Sequence, residues 1–239
     1  MINNASILPC QYRRIMKIIE QMDSANYLIT TYYVLLLNSI LALVLLLLLK
    51  IGQANKNTIS ITGIISLLYI AFDHWGIGGG HFFPKDISGI SYFIIILVSA
   101  TLGVGFLFLT LRKPFFNLSQ EHLQMTQGLR VFVSAGFFTE AALGIIPLAF
   151  GIMDGFLHAA SAFSALIAAT LYVKNSTFKN TALWTANIIG VADILIIVTS
   201  ICFWVWEDIG PNHNMQYVVF FGGIIFLWIH FVSIAKLLK

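Results

Sequence analysis

The sequence predicts an all-α integral membrane protein, a bundle of seven transmembrane helices. Hydrophobic residues make up 59% of its 239 positions and charged residues only 10%, a balance far from that of a soluble domain. The mean hydropathy is +0.89. The apolar residues also fall in long unbroken runs, each near the ~20 residues that a spanning helix needs, and not in the short alternating strands of a spanning barrel. With charge so sparse, a nucleic-acid partner is excluded; the partner implied is the lipid bilayer.

Residues 1–26 form an N-terminal segment, and residues 27–239 a single transmembrane domain. In the first segment Arg13, Arg14 and Lys17 alternate with Ile15, Met16, Ile18 and Ile19, the pattern of an amphipathic piece lying on the membrane surface. Its apolar core is too short and interrupted for a signal peptide, so the first span is expected to act as its own insertion signal. Met1 and Met16 both serve as possible starts.

The seven spans run from Tyr27 to Leu49, Ile59 to Ile77, Ile87 to Leu111, Leu129 to Ala149, Asp154 to Val173, Leu183 to Trp206 and Tyr217 to Lys236. Pro147 is expected to kink the fourth near its end, helped by Gly144. Between the fourth and fifth spans the chain reverses, with Gly151 supplying the turn. Small residues at four-residue spacing, Gly151, Gly155 and Ala159 in the fifth span and Ala182, Ala186 and Gly190 in the sixth, suit close helix packing in lipid.

Lysine and arginine placement sets the orientation. Lys50, Lys56, Arg112, Lys113, Lys174, Lys179, Lys236 and Lys239 collect on one side, and Arg13, Arg14, Lys17 and Lys85 on the other. This predicts the N-terminus out and the C-terminus in, with Trp75, Trp204 and Trp206 in an interfacial aromatic belt on the outer side.

Ionisable residues inside spans are costly, and the default expectation is that they face the bundle interior and act there. Counting 1.5 Å per residue from the predicted ends places Glu140, Asp193 and His230 in one layer, roughly 15 to 20 Å below the outer face. His158 is expected roughly 10 Å from His230 in depth. No lysine or arginine is placed to neutralise Glu140 or Asp193, which suits carboxyls that exchange a proton. Arg130, near the start of the fourth span, is expected to snorkel toward headgroups. Asn187 is expected to bond a neighbouring helix. Asp154 falls at the start of the fifth span, where a carboxylate caps free N–H groups, with His158 one turn on. The binding or proton-carrying set is therefore Glu140, Asp193, His230, Asn187, Asp154 and His158, and no catalytic set assembles.

Asp73, His74 and His81 flank the stretch GIGGGHFFP, which lacks the Lys-Ser/Thr ending of a phosphate loop and reads as a loop with at most a surface metal site. No cofactor is expected. Retinal would need a lysine in the middle of the last helix, and haem would need two histidines at one depth. His230 is followed four residues on by Ile234, which is not the H-x-x-x-H of seven-helix intramembrane metal hydrolases. GIMD and GVAD share a pattern, but their helices run in opposite directions and no internal repeat is read.

GIIPLAFGIMDG, NIIGVADIL and WIHFVSIAKLL, in the C-terminal half, resemble a group of uncharacterised bacterial polytopic membrane proteins. The resemblance implies the bacterial inner (cytoplasmic) membrane, and it makes Pro147, Asp154, Asn187, Asp193 and His230 shared motif positions without naming a reaction. The function expected is proton-coupled transport or channelling of an ion or small solute through the buried carboxyls. A receptor-like or scaffold protein whose polar residues only hold helices together is the alternative, and an intramembrane enzyme the third. Oligomeric state is not legible in the sequence.

Overall fold

The computed structural model describes residues 10–78, 81–84, 86–210, 215 and 218–239, with side chains from residue 25 onward except those of 77 and 78. The side chains of Arg13, Arg14 and Lys17, and the residues Gly79, Gly80, Lys85 and Tyr217, lie outside this set. Among the described residues the secondary structure is entirely helical. Helix α1 spans Cys10–Ile51, α2 Lys56–Phe72, α3 Gly89–Asn117, α4 Gln120–Gln127, α5 Arg130–Ala142, α6 Leu148–Val173, α7 Lys179–Phe203, α8 Trp206–Ile209 and α9 Ile224–Leu237. Short π-helical turns, Asp73–Gly78 and Val219–Gly223, extend α2 and lead into α9.

Among the described residues, six segments are long and apolar enough to cross a membrane: Ala25–Ile51, Lys56–Gly76, Gly89–Asn117, Leu148–Val173, Lys179–Phe203 and Val219–Leu237. Their outward faces carry large apolar side chains such as Leu36, Leu43, Leu102, Leu109, Phe163 and Leu195. Asn38, Arg130, Glu140, Asp154, Asn187 and Asp193 are instead buried. That inside-out distribution is what a lipid solvent selects, because apolar surface costs nothing there and unpaired polar groups cost several kcal/mol. The protein is an integral, multi-pass membrane protein.

The predicted fourth span, Leu129 to Ala149, is not one helix. The Ser119 side chain caps α4 by accepting from the backbone N–H of His122. At Gly128 and Leu129 both residues keep right-handed helical dihedrals. The bonds there shorten to Leu129 N–H to Thr126 O, Val131 N–H to Gly128 O and Phe132 N–H to Leu129 O, so α4 and α5 form one rod tightened at its middle. The rod stops at Ala142. Gly144 has φ +71°, a left-handed conformation natural to glycine, and Pro147 stands at the N-cap of α6.

Pro147 therefore begins α6 and does not kink a longer helix. The reversal falls at Gly144, and Gly151 lies inside α6, where an added Cβ would stand 2.5 Å from the Cβ of Ala141. Asp154 sits in the second turn of α6, not at its start.

Two ends of the bundle are closed by specific contacts. At one, the Lys236 ammonium donates to the carbonyls of Phe116 and Leu118, and Asn117 Nδ2 donates to Gly52 O at 3.0 Å. At the other, the indole N–H of Trp206 donates to Ile87 O at 3.1 Å, and Phe150 meets Trp204 edge-on. Trp75 and Trp204 are exposed as an interfacial belt requires, whereas Trp206 is buried.

Candidate functional site

Helix α6 packs closely against both α5 and α7, and the polar centre lies where these three meet α9. It is built on the α4–α5 rod. Gln120, Gln124, Gln127, Arg130 and Ser134 recur every three or four residues and are all buried, forming a polar stripe that faces the interior. Because the rod begins at Gln120 and not at Leu129, Arg130 lies about 15 Å into it. This overturns the expectation that Arg130 snorkels to headgroups, and also the expectation that no basic residue reaches Asp193. Arg130 Nη2 stands 2.6 Å from Asp193 Oδ2, with both side chains 1% exposed.

The rest of the guanidinium is almost fully engaged. Its Nη1 donates to Gly190 O at 3.0 Å and meets His230 Nε2 at 3.3 Å, while Nε donates to His158 Nδ1 at 3.4 Å. The Phe226 ring lies 5.5 Å from Cζ, a cation–π contact in a dry setting. Both histidines thus meet one guanidinium, which overturns the depth difference expected between His158 and His230. Gly190 makes this possible: a Cβ there would fall 2.2 Å from His230 Cε1.

Donor and acceptor roles settle the state of His230. Arginine only donates, so His230 Nε2 accepts and Nδ1 carries the proton, donating to Asn187 Oδ1 at 2.9 Å. Asn187 Nδ2 donates to Leu183 O and to Ser233 Oγ, both at 2.8 Å. Ser233 Oγ donates to Gln120 Oε1 at 2.7 Å and accepts from Gln124 Nε2 at 3.0 Å. One polarised chain therefore runs from Arg130 through His230, Asn187 and Ser233 to Gln120, joining α4, α5, α7 and α9. With both ring nitrogens of His230 taken, this histidine has no lone pair left for a metal or haem.

His158 is different. Its Nδ1 lies 3.2 Å from Asp193 Oδ2 as well as 3.4 Å from Arg130 Nε. A single nitrogen cannot accept from the guanidinium and donate to the carboxylate at once. A protonated and a bare Nδ1 thus compete at one atom, while Phe137 stacks on the ring at 5.4 Å and holds it in place.

Asp154, four residues before His158 on α6, is buried, and neither carboxyl oxygen has a hydrogen-bond partner among the described residues. It lies within electrostatic reach of Asp193. Ser161 Oγ, on the same face, is likewise buried without a hydrogen-bond partner among them. Glu140 is buried near the far end of α5, ten residues and about 15 Å from Arg130, so it does not share the level of Asp193 and His230. Asp73 is buried in the π-helical turn after α2, and His81 stacks on Trp75 with centroids 5.1 Å apart. Among the described residues, no group of three or more His, Cys, Asp or Glu is arranged to hold a metal ion.

Sequence reasoning named Asp193, His230, Asn187, Asp154 and His158 but missed Arg130 as their organiser, together with Gln120, Gln124 and Ser233. The signal was present in the three-and-four spacing of the glutamines and Arg130, a polar stripe in register with a helix. Beside Arg130 and His158 lies a small cavity of about 40 Å³, walled by apolar side chains including Phe137, Ile197, Val218 and Phe226. No family model, curated protein or solved structure matches the chain.

Proposed function

We propose that the protein moves an ion or small solute across the membrane, with proton exchange at the Arg130–Asp193–His158 centre as the coupling step. The observation that carries this reading is His158 Nδ1, held 3.2 Å from a carboxylate oxygen and 3.4 Å from a guanidinium nitrogen. With Nδ1 protonated the ring donates to Asp193 and releases Arg130, and with Nδ1 bare it does the reverse, so the placement of a single proton changes how α5, α6 and α7 are tied together. Ionisable groups inside a bundle are the usual elements of proton relays and ion paths.

In this reading the α4–α5 rod is a seventh passage through the membrane, lined on its inner face by the polar stripe. The N-terminus lies outside and the C-terminus inside, as the lysines and arginines around Lys50, Lys113, Lys174 and Lys236 support. The membrane is the bacterial inner membrane, on the strength of the motifs around Asp154, Asn187 and His230.

The test is proton movement in proteoliposomes carrying a pH-sensitive dye, driven in turn by gradients of a panel of ions and small solutes. Solute-dependent acidification in the wild type, absent in His158→Phe, supports coupling. Absence of any such signal across the panel ends the reading. The second reading, a receptor-like or scaffold protein, is favoured by the satisfied chain from His230 to Gln120. It predicts that substitutions at the centre change thermal stability and nothing else.

A further inference from the structure

The transport reading leaves the solute unnamed, and the surroundings of Arg130 narrow it. We propose that the solute is a short monocarboxylate anion, which binds Arg130 in the adjoining cavity when Asp193 takes up a proton, so that one anion and one proton move together. This inference rests on the transport reading.

Charge balance is the first support. Arginine keeps its charge at every accessible pH, and the carboxylate bonded to it is that of Asp193. A proton on Asp193 leaves a buried cation without a counter-charge, an unfavourable state that a second carboxylate relieves. The one covalent change is an O–H bond: a proton from the aqueous side joins an Asp193 oxygen, and the incoming anion takes the place of that oxygen on Nη2.

The donor pattern is the second support. Both N–H groups of Nη1 are committed, to Gly190 O and to His230. Among the described residues, the edge formed by Nε and Nη2 carries Asp193 and His158. Two parallel N–H groups on one edge match a planar carboxylate once His158 Nδ1 releases Nε. Among the described residues, the titratable and charged groups facing Asp193 are Arg130 on α5, His158 and Asp154 on α6 and, through the guanidinium, His230 on α9. Only Arg130 among them offers a fixed positive charge.

The cavity supplies the third. Arg130 and His158 form its polar end, and its volume of about 40 Å³ is that of a few waters, each needing about 10–15 Å³. Formate or acetate suits that space, and the apolar walls of Phe137, Ile197 and Phe226 offer no competing donor and favour a C–H or methyl group.

The experiment measures binding of radiolabelled formate to the full chain in detergent, from about pH 5 to about pH 8. In the wild type, affinity should fall toward tenfold per pH unit as pH rises, because each anion brings one proton with it. Asp193→Asn, which mimics the protonated acid, should bind at the alkaline end as tightly as the wild type does at the acid end. Ile197→Phe, which fills the cavity and leaves the ion pair intact, should lose binding. Absent or pH-independent formate binding in the wild type overturns the inference even if a variant fails to fold. So does an Asp193→Asn protein that keeps its melting transition and binds nothing. Formate binding with this profile but no formate-driven proton movement in proteoliposomes retires the transport reading and leaves the anion site standing. Proton movement driven by another solute, with no formate binding, does the reverse.

Discussion

Arg130 and Asp193, 63 positions apart in sequence, are joined through Nη2 and Oδ2 at 2.6 Å in a part of the bundle that solvent does not reach. The two members of this pair are not equivalent. Asp193 can become neutral by taking a proton, whereas arginine cannot shed one. Asp193→Asn therefore strands a buried charge and should cost about 3–5 kcal/mol, and Arg130→Gln should cost less. Unfolding in detergent across a double-mutant cycle measures this, with a coupling energy of about 1–3 kcal/mol expected for contacting residues. Additive losses would mean that the two side chains do not meet.

Gly190 is where α7 lets the His230 ring lie against its backbone. In Gly190→Ala the new methyl would stand 2.2 Å from Cε1 and 2.3 Å from Nε2, so the ring must move and its bonds to Arg130 and Asn187 must break. A loss of about 1–3 kcal/mol is expected from overpacking alone. Gly105→Ala is the control, since none of the described residues lies within 4 Å of the added Cβ. Its melting temperature should stay level or rise, because alanine is the better helix former.

Ser233 gathers three side chains through one hydroxyl. Ser233→Ala would leave Asn187 and Gln124 each with an N–H lacking an acceptor, and Gln120 with an unmatched carbonyl. About 1–3 kcal/mol is expected, lowered toward ~1 because an unfolded membrane helix also finds partners. The titrating centre is untouched, so the pH profile of any activity should keep its midpoint. A shifted midpoint would tie Ser233 to the proton step and contradict a purely structural role.

Asp154 presents two buried carboxyl oxygens to which none of the described residues donates a hydrogen bond. Replacing such a group with an apolar side chain of similar size removes a desolvation penalty, so Asp154→Val should be stabilising by about 1–2 kcal/mol. Thermal unfolding in detergent would show it. A destabilised Asp154→Val protein would mean that the carboxyl has a partner, a bound cation included, in the working protein.

Much of the helical layout was legible because hydropathy acts locally. A run of apolar residues must bury its backbone polar groups in its own helix once in lipid, and six of the seven expected spans correspond to long apolar helices. The fourth went wrong for the same reason. Residues 120–128 include three glutamines, a glutamate and a histidine, and a polar stretch reads as a loop when its inward face has not yet been matched to a partner. Starting that helix nine residues late moved Arg130 to the membrane edge and Glu140 to the middle.

By itself the sequence determined that the chain is a helical membrane protein and that Asp154, His158, Asn187, Asp193 and His230 lie within its membrane-spanning segments. Depth along a helix and rotation about its axis are set by neighbours, and tertiary structure alone decided these. Packing of α5, α6, α7 and α9 puts a guanidinium between Asp193 and His230 and against one nitrogen of His158. The physical reason is that a buried charge takes its counter-charge from whichever helix reaches it in space, and distance along the chain says nothing of that reach.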